Sequence, residues 1–148
     1  MKINKLNFIV TTLMLILSAN IVNAQCKSFA KNKCLPNMAP YIHNGQMNGA
    51  TMMAGEKAEL QMTFYSGQDY RLMVCPQPIL EEVTFRVLDK NKKVVFNNKD
   101  HKNVSYWDFN VASTQQMILE IDVPESTSKH GMVPSGCVNV LVGFKPKE

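Results

Sequence analysis

Ala58-Glu59-Leu60-Gln61-Met62-Thr63-Phe64-Tyr65 alternates apolar and polar side chains almost without a break. Successive side chains of a strand point to opposite faces, so Ala58, Leu60, Met62 and Phe64 share one face while Glu59, Gln61, Thr63 and Tyr65 share the other. That is the pattern of a half-buried strand. Ser66-Gly67-Gln68-Asp69 has turn chemistry and leads into Tyr70, Leu72 and Val74, which predicts a hairpin.

Toward the C-terminus the same period returns in Val83, Phe85 and Val87, and Asp89-Lys90-Asn91-Lys92 turns that strand back into Val94-Val95-Phe96. Tyr106 to Val111, the run Met117, Leu119, Ile121, Val123, and Val138, Val140, Val142, Phe144 complete the set. About seven short strands separated by turn residues predict an all-β fold, an antiparallel β-sandwich of jelly-roll or immunoglobulin-like type, over residues 58–148. Residues 124–135 form the longest late loop. Toward the N-terminus, residues 25–57 hold Pro36, Pro40, Gly45, Gly49 and Gly55 and predict an irregular lead with room for one short strand or helical turn.

Residues 1–24 have the layout of a secretory signal peptide. Lys2 and Lys5 precede the apolar run Phe8–Leu17, and Val22-Asn23-Ala24 offers a small residue before a cut at Gln25. Ten apolar residues are too few to cross a bilayer that takes about 20 as a helix, so no transmembrane segment is expected after cleavage. Lipid anchoring at Cys26 is disfavoured because Gln25 and Asn23 stand where a lipid-acceptor site has a small and a leucine-like residue. Cleavage leaves 124 residues, enough for one domain, and lowers the formal charge from +4 to +2. With only Arg71 and Arg86 as guanidinium groups and no cationic cluster, nucleic-acid binding is not expected.

All four cysteines, Cys26, Cys34, Cys75 and Cys137, fall after the predicted cut. An even count in an exported chain of this size reads as two disulfides in an oxidising periplasmic or extracellular compartment. Three pairings are open, and the local pair Cys26–Cys34 with Cys75–Cys137 is preferred. No Cys-x-x-Cys is present to suggest a zinc or redox site.

Other candidate sites are sparse. His43, Met47, Met52 and Met53 lie in one segment and His130 and Met132 in another, and together they offer imidazole and thioether ligands for copper. Methionine is also an ordinary core filler. His43, His101, His130, Asp108 and Ser135 include the residue types of a hydrolase, but no nucleophile elbow or metalloprotease helix accompanies them. Asp89-Lys90-Asn91 reads as hairpin chemistry rather than a calcium loop. Among the aromatics, Trp107 and Phe109 share a face with Val111 and read as core. Tyr65 and Tyr106 face outward and are the candidates for stacking on a partner.

Asn44-Gly45-Gln46, Ala54-Gly55-Glu56-Lys57-Ala58-Glu59-Leu60, Phe64-Tyr65-Ser66-Gly67-Gln68-Asp69-Tyr70-Arg71, Trp107-Asp108-Phe109 and Ser135-Gly136-Cys137-Val138 resemble a family of small secreted bacterial β-sandwich proteins with no assigned activity. The likeness spans nearly all of the chain after residue 24. A weaker one, on the Ala-Gly-Glu lead and the Gly-x-Asp-Tyr turn, is to bacterial pre-peptidase C-terminal domains, which implies carbohydrate, protein or surface binding. The expectation is therefore a non-enzymatic secreted or periplasmic binding module for an envelope or extracellular protein or glycan, without a cofactor. A periplasmic copper-handling protein using the His/Met segments is the alternative.

Overall fold

The computed structural model describes residues 21–126 and 131–146, so residues 1–20 of the expected signal peptide and His130 lie outside the described residues. Eight strands form two four-stranded antiparallel sheets. They are β1 (Ile42–Met53), β2 (Lys57–Phe64), β3 (Gln68–Pro76), β4 (Thr84–Leu88), β5 (Val94–Asn97), β6 (Tyr106–Asn110), β7 (Gln115–Asp122) and β8 (Ser135–Pro146). One sheet has the order β1-β8-β3-β6 and the other β2-β7-β4-β5. This nesting of β1 with β8, β2 with β7, β3 with β6 and β4 with β5 is that of a jelly roll, which decides between the two expected sandwich types.

The alternating residues meet between the sheets. Leu72, Val74, Val138, Val140 and Val142 from one sheet pack against Phe64, Phe85, Val87, Met117, Leu119 and Ile121 from the other. Asp89 fixes the β4–β5 hairpin as expected, its Oδ1 accepting from the N–H groups of Asn91 and Lys93 at 2.8 and 2.9 Å. The predicted β2–β3 hairpin is corrected: β2 and β3 belong to different sheets, and Ser66-Gly67 is a corner between them. A short polar turn serves either geometry. The outcome follows from burial, because the corner turns the Phe64 face onto the Tyr70 face, with ring centroids 5.0 Å apart.

The segment expected to be irregular contains the twelve-residue β1 and an ordered helical stretch. Helix α1 (Ile21–Phe29), which spans the expected cleavage point after Ala24, runs into a π turn (Ala30–Cys34) and a 3-10 turn (Leu35–Met38). Cys26, Ala30, Cys34 and Met38 are all buried, while Lys27, Lys31 and Lys33 are exposed. A spacing of four drifts by about 40° per step on a 3.6-residue helix. The wider π turn takes up that drift, so the stripe stays on one face. It lies on the outer face of the β1-β8-β3-β6 sheet, where Cys34 and Met38 pack with Met73 and Leu141 as a second core.

The disulfides pin this third layer and correct the preferred pairing: Cys26 joins Cys137 on β8 and Cys34 joins Cys75 on β3. Once Cys26 and Cys34 lie eight residues apart on helical backbone they are separated by about 12 Å. That exceeds the roughly 7 Å that a disulfide spans between Cα atoms. Cys75 and Cys137 both face outward from the sheet, toward the helical segment.

Gly49 makes this packing possible. A Cβ there would lie 2.1 Å from Oδ1 of the buried Asn139 and 3.7 Å from Cβ of Cys26. Gly49→Ala is therefore expected to lower stability by about 1–3 kcal/mol through overpacking. Thermal unfolding of Gly49→Ala beside Gly49→Ala/Asn139→Ala checks this. The second change should return most of the loss, and an unchanged midpoint for Gly49→Ala alone would refute the contact.

Candidate binding groove and the Arg71 cluster

The two lateral sides of the sandwich are finished differently. On the β5/β6 side an aromatic stack closes the gap, with His101 on Phe96 at 4.9 Å, Phe96 on Trp107 at 5.1 Å and Trp107 on Phe109 at 4.1 Å between ring centroids. Trp107 and Phe109 are half-buried and pack against the core. On the β1/β2 side no such stack forms among the described residues. The inward positions Asn48 and Ala50 of β1 are exposed, and Leu60 and Met62 of β2 are only half-buried.

The result is a groove of about 570 Å³ between the two edge strands. Its floor is apolar, from Leu60, Met62, Phe64, Val142 and Phe144. Its rim carries five side-chain amides, those of Asn44, Gln46, Asn48, Gln61 and Gln68. Tyr65 closes one end, 62% exposed, while its N–H donates to the hydroxyl of Tyr70 at 3.0 Å and fixes the backbone that carries it. The lining contains no carboxylate, ammonium, guanidinium, imidazole or thiol. Amides and a tyrosine over an apolar floor match the hydroxyls and ring faces of a sugar, or the peptide groups and side chains of a protein segment.

Tyr106, the other stacking candidate, is placed in a different cluster. It lies on the outer face of the helix-covered sheet, 40% exposed, with the Arg71 guanidinium 4.2 Å above its ring centroid. Arg71 also lies 4.8 Å from the ring centroid of Tyr41. Its Nε and Nη2 donate to the two oxygens of Asp108, both at 2.7 Å, and Nη1 donates to the carbonyls of Asn37 and Ala39, both at 3.1 Å. The hydrogen bonds it donates to Asp108 hold Arg71 more firmly protonated than usual. Burial, with the charge of Asp108 adding to it, pushes the Tyr41 hydroxyl above its ordinary range, so both groups keep their charge state across neutral pH. Every part of the Arg71 fork is engaged in holding the chain leaving the helical segment onto β3 and β6. The cluster is a clasp, and Tyr106 is part of it.

The copper-type residues are spread along β1. His43 is held locally, its Nε2 donating to the Gln46 carbonyl at 3.0 Å and its Nδ1 accepting from the Gly45 N–H at 3.3 Å. Met52 is buried between the sheets, and its neighbour Met53 points to the opposite face and is exposed. Met47 and Met53 share a face but lie about 20 Å apart along the strand. Met132 is exposed in the late loop. Among the described residues no three of His, Cys, Asp and Glu are grouped so as to hold a metal. The hydrolase-type residues are also dispersed: His101 stacks on Phe96, Asp108 is paired with Arg71, and Ser135 opens β8 opposite Met53.

A second depression, about 430 Å³, lies on the outer face of the β2-β7-β4-β5 sheet. Four of its six charged residues are paired, Lys57 with Asp122 at 3.0 Å and Arg86 with Glu120, while Glu59 and Lys99 are exposed and make no ion pair among the described residues. Exposed pairs of this kind are the ordinary dressing of a solvated sheet face. The groove was missed in the sequence because its β1 wall lay in the segment expected to be irregular. The signal available was the run Asn44, Gln46, Asn48, a period-two series of amides within Ile42–Met53.

Among the described residues no helix is long and apolar enough to cross a membrane. No protein-family model and no curated protein matches the sequence. Among solved structures, the chain is similar to Aeromonas hydrophila PliG, a periplasmic lysozyme inhibitor of g-type lysozyme, with a TM-score of 0.49 and 6% identity over 72% of this chain and 89% of that one.

Proposed function

We propose that this chain is a non-enzymatic binding module of an extracytoplasmic compartment, and that the β1/β2 groove is the surface with which it holds a protein or glycan partner. The observation that carries the reading is the chemistry of the lining: five amides and Tyr65 around an apolar floor, with no carboxylate, ammonium, guanidinium, imidazole or thiol. Two disulfides with no free cysteine among the described residues fit an oxidising location.

Capture from envelope extracts and from an envelope-glycan hydrolysate, by wild type and by Tyr65→Ala/Gln61→Ala, tests the reading. Both residues are exposed, so the double variant should keep the wild-type melting temperature while losing at least about tenfold in affinity for whatever wild type retains. A partner retained equally by the variant would place binding elsewhere on the surface. Absence of any retained protein or glycan would end the binding-module reading.

A further inference from the structure

Among the described residues β1 pairs with β8 on one side only, and it is the longest sheet edge in the fold. Its twelve residues contain no Lys, Arg, Asp or Glu. Sheet edges are ordinarily protected from pairing with another chain by shortness, charge, proline or a bulge. The other three edges follow that rule. β2 carries Lys57 and Glu59, β5 has four residues and follows Lys92 and Lys93, and β6 has five residues including Asp108. β1 is protected only near its two ends, by the irregularity between His43 and Met47 and by the Glu56 carboxylate, which accepts from the Met53 N–H at 2.8 Å, and Met47–Met53 keeps a regular register with β8. Asn48, Gly49, Ala50 and Thr51 within that stretch are all exposed.

We infer that Met47–Met53 is a self-association edge, on which a second copy of this chain pairs antiparallel about a two-fold axis through Ala50. A two-fold places each residue of the stretch opposite its mirror position, because an isologous contact uses the same patch on both copies. Ala50 then meets Ala50 of the second copy, Gly49 meets Thr51, Asn48 meets Met52, and Met47 meets Met53. No charge opposes a like charge at any position, and small side chains surround the axis. The sheet β1-β8-β3-β6 becomes one of eight strands, and the two grooves lie on either side of the axis. The inference stands apart from the groove reading and does not need it. A seven-residue edge contact belongs at the small end of specific interfaces, so the association is a weak one.

Sedimentation equilibrium of the purified protein, from low micromolar to about 1 mM, reads it out. Wild type is expected to approach twice the monomer mass at the upper concentrations. Ala50→Lys sets two ammonium groups against each other across the axis and should weaken association at least about tenfold, with the melting temperature of the monomer unchanged. A mixture of Ala50→Lys with Ala50→Glu should recover association. Wild type that stays monomeric throughout, association indifferent to Ala50→Lys, or a mixture that stays monomeric would each overturn the inference.

Discussion

Cys26→Ala/Cys137→Ala is expected to lose about 3–5 kcal/mol of unfolding free energy. The bond joins residues 111 apart in sequence, so cutting it gives the unfolded chain the largest gain in freedom that any single crosslink here can release. The chain-entropy model puts a loop of this size near 4.7 kcal/mol. The other disulfide closes a separation of 41 residues, and the same model makes it weaker by about 0.9 kcal/mol. There is also a local consequence. Cys26 is the first member of the buried stripe and the one that lies in α1, and without its bond the helical segment is left to pack by Ala30, Cys34 and Met38 of the turns that follow. Urea unfolding followed by the single tryptophan, Trp107, gives the global loss, and limited trypsin digestion at the exposed Lys27, Lys31 and Lys33 reports local release. A loss under about 1 kcal/mol, or one smaller than that of Cys34→Ala/Cys75→Ala, would contradict the assignment of this bond as the main covalent restraint.

What the sequence made legible, and what it did not, follows from which partners each residue meets. Period-two alternation exposes a strand when one face is wet and the other dry, and β2, β4, β6 and β7 satisfy that condition. β8 does not: residues 136–143 are buried on both faces, and only Val138, Val140 and Val142 announce themselves as core. The outward positions Cys137, Asn139, Leu141 and Gly143 are buried because α1 and the turns after it lie over them. A Cβ on Gly143 would come within 2.5 Å of Met38 Cε, so that position is small for the same reason. β1 was hidden for the opposite reason. As an edge over an open groove its inner face is wet, so polar amides occupy positions where alternation leads one to expect apolar side chains. The stripe Cys26, Ala30, Cys34, Met38 was present in the sequence, but a strict spacing of four is diagnostic only once a π turn is admitted. Sheet membership of β2 and β3 was out of reach, since the corner and a hairpin use the same turn residues.

Arg71 carries the second large effect. Its side chain is 12% exposed and makes four hydrogen bonds, two to a carboxylate and two to backbone carbonyls, between two tyrosine rings. Lysine keeps the charge but replaces a planar fork by a point donor, so it cannot span Asp108 and the carbonyls of Asn37 and Ala39 together. Arg71→Lys is therefore expected to cost about 2–3 kcal/mol, and Arg71→Ala about 3–4, because removing the cation strands Asp108 and both carbonyls in a half-closed site. Asp108 is more open, with its side chain 36% exposed, and water replaces part of what it loses. Asp108→Asn should accordingly cost less than either change at Arg71, about 1 kcal/mol. This ordering separates a clasp from a surface ion pair. In a surface pair the two partners contribute alike and salt weakens both, whereas here the larger share comes from carbonyls and rings that salt does not screen. Chemical unfolding of the three variants at low and high salt gives the comparison. Equal losses at Arg71 and Asp108, both shrinking in salt, would mean that the guanidinium is not what holds the chain between Met38 and β1 against the sheet.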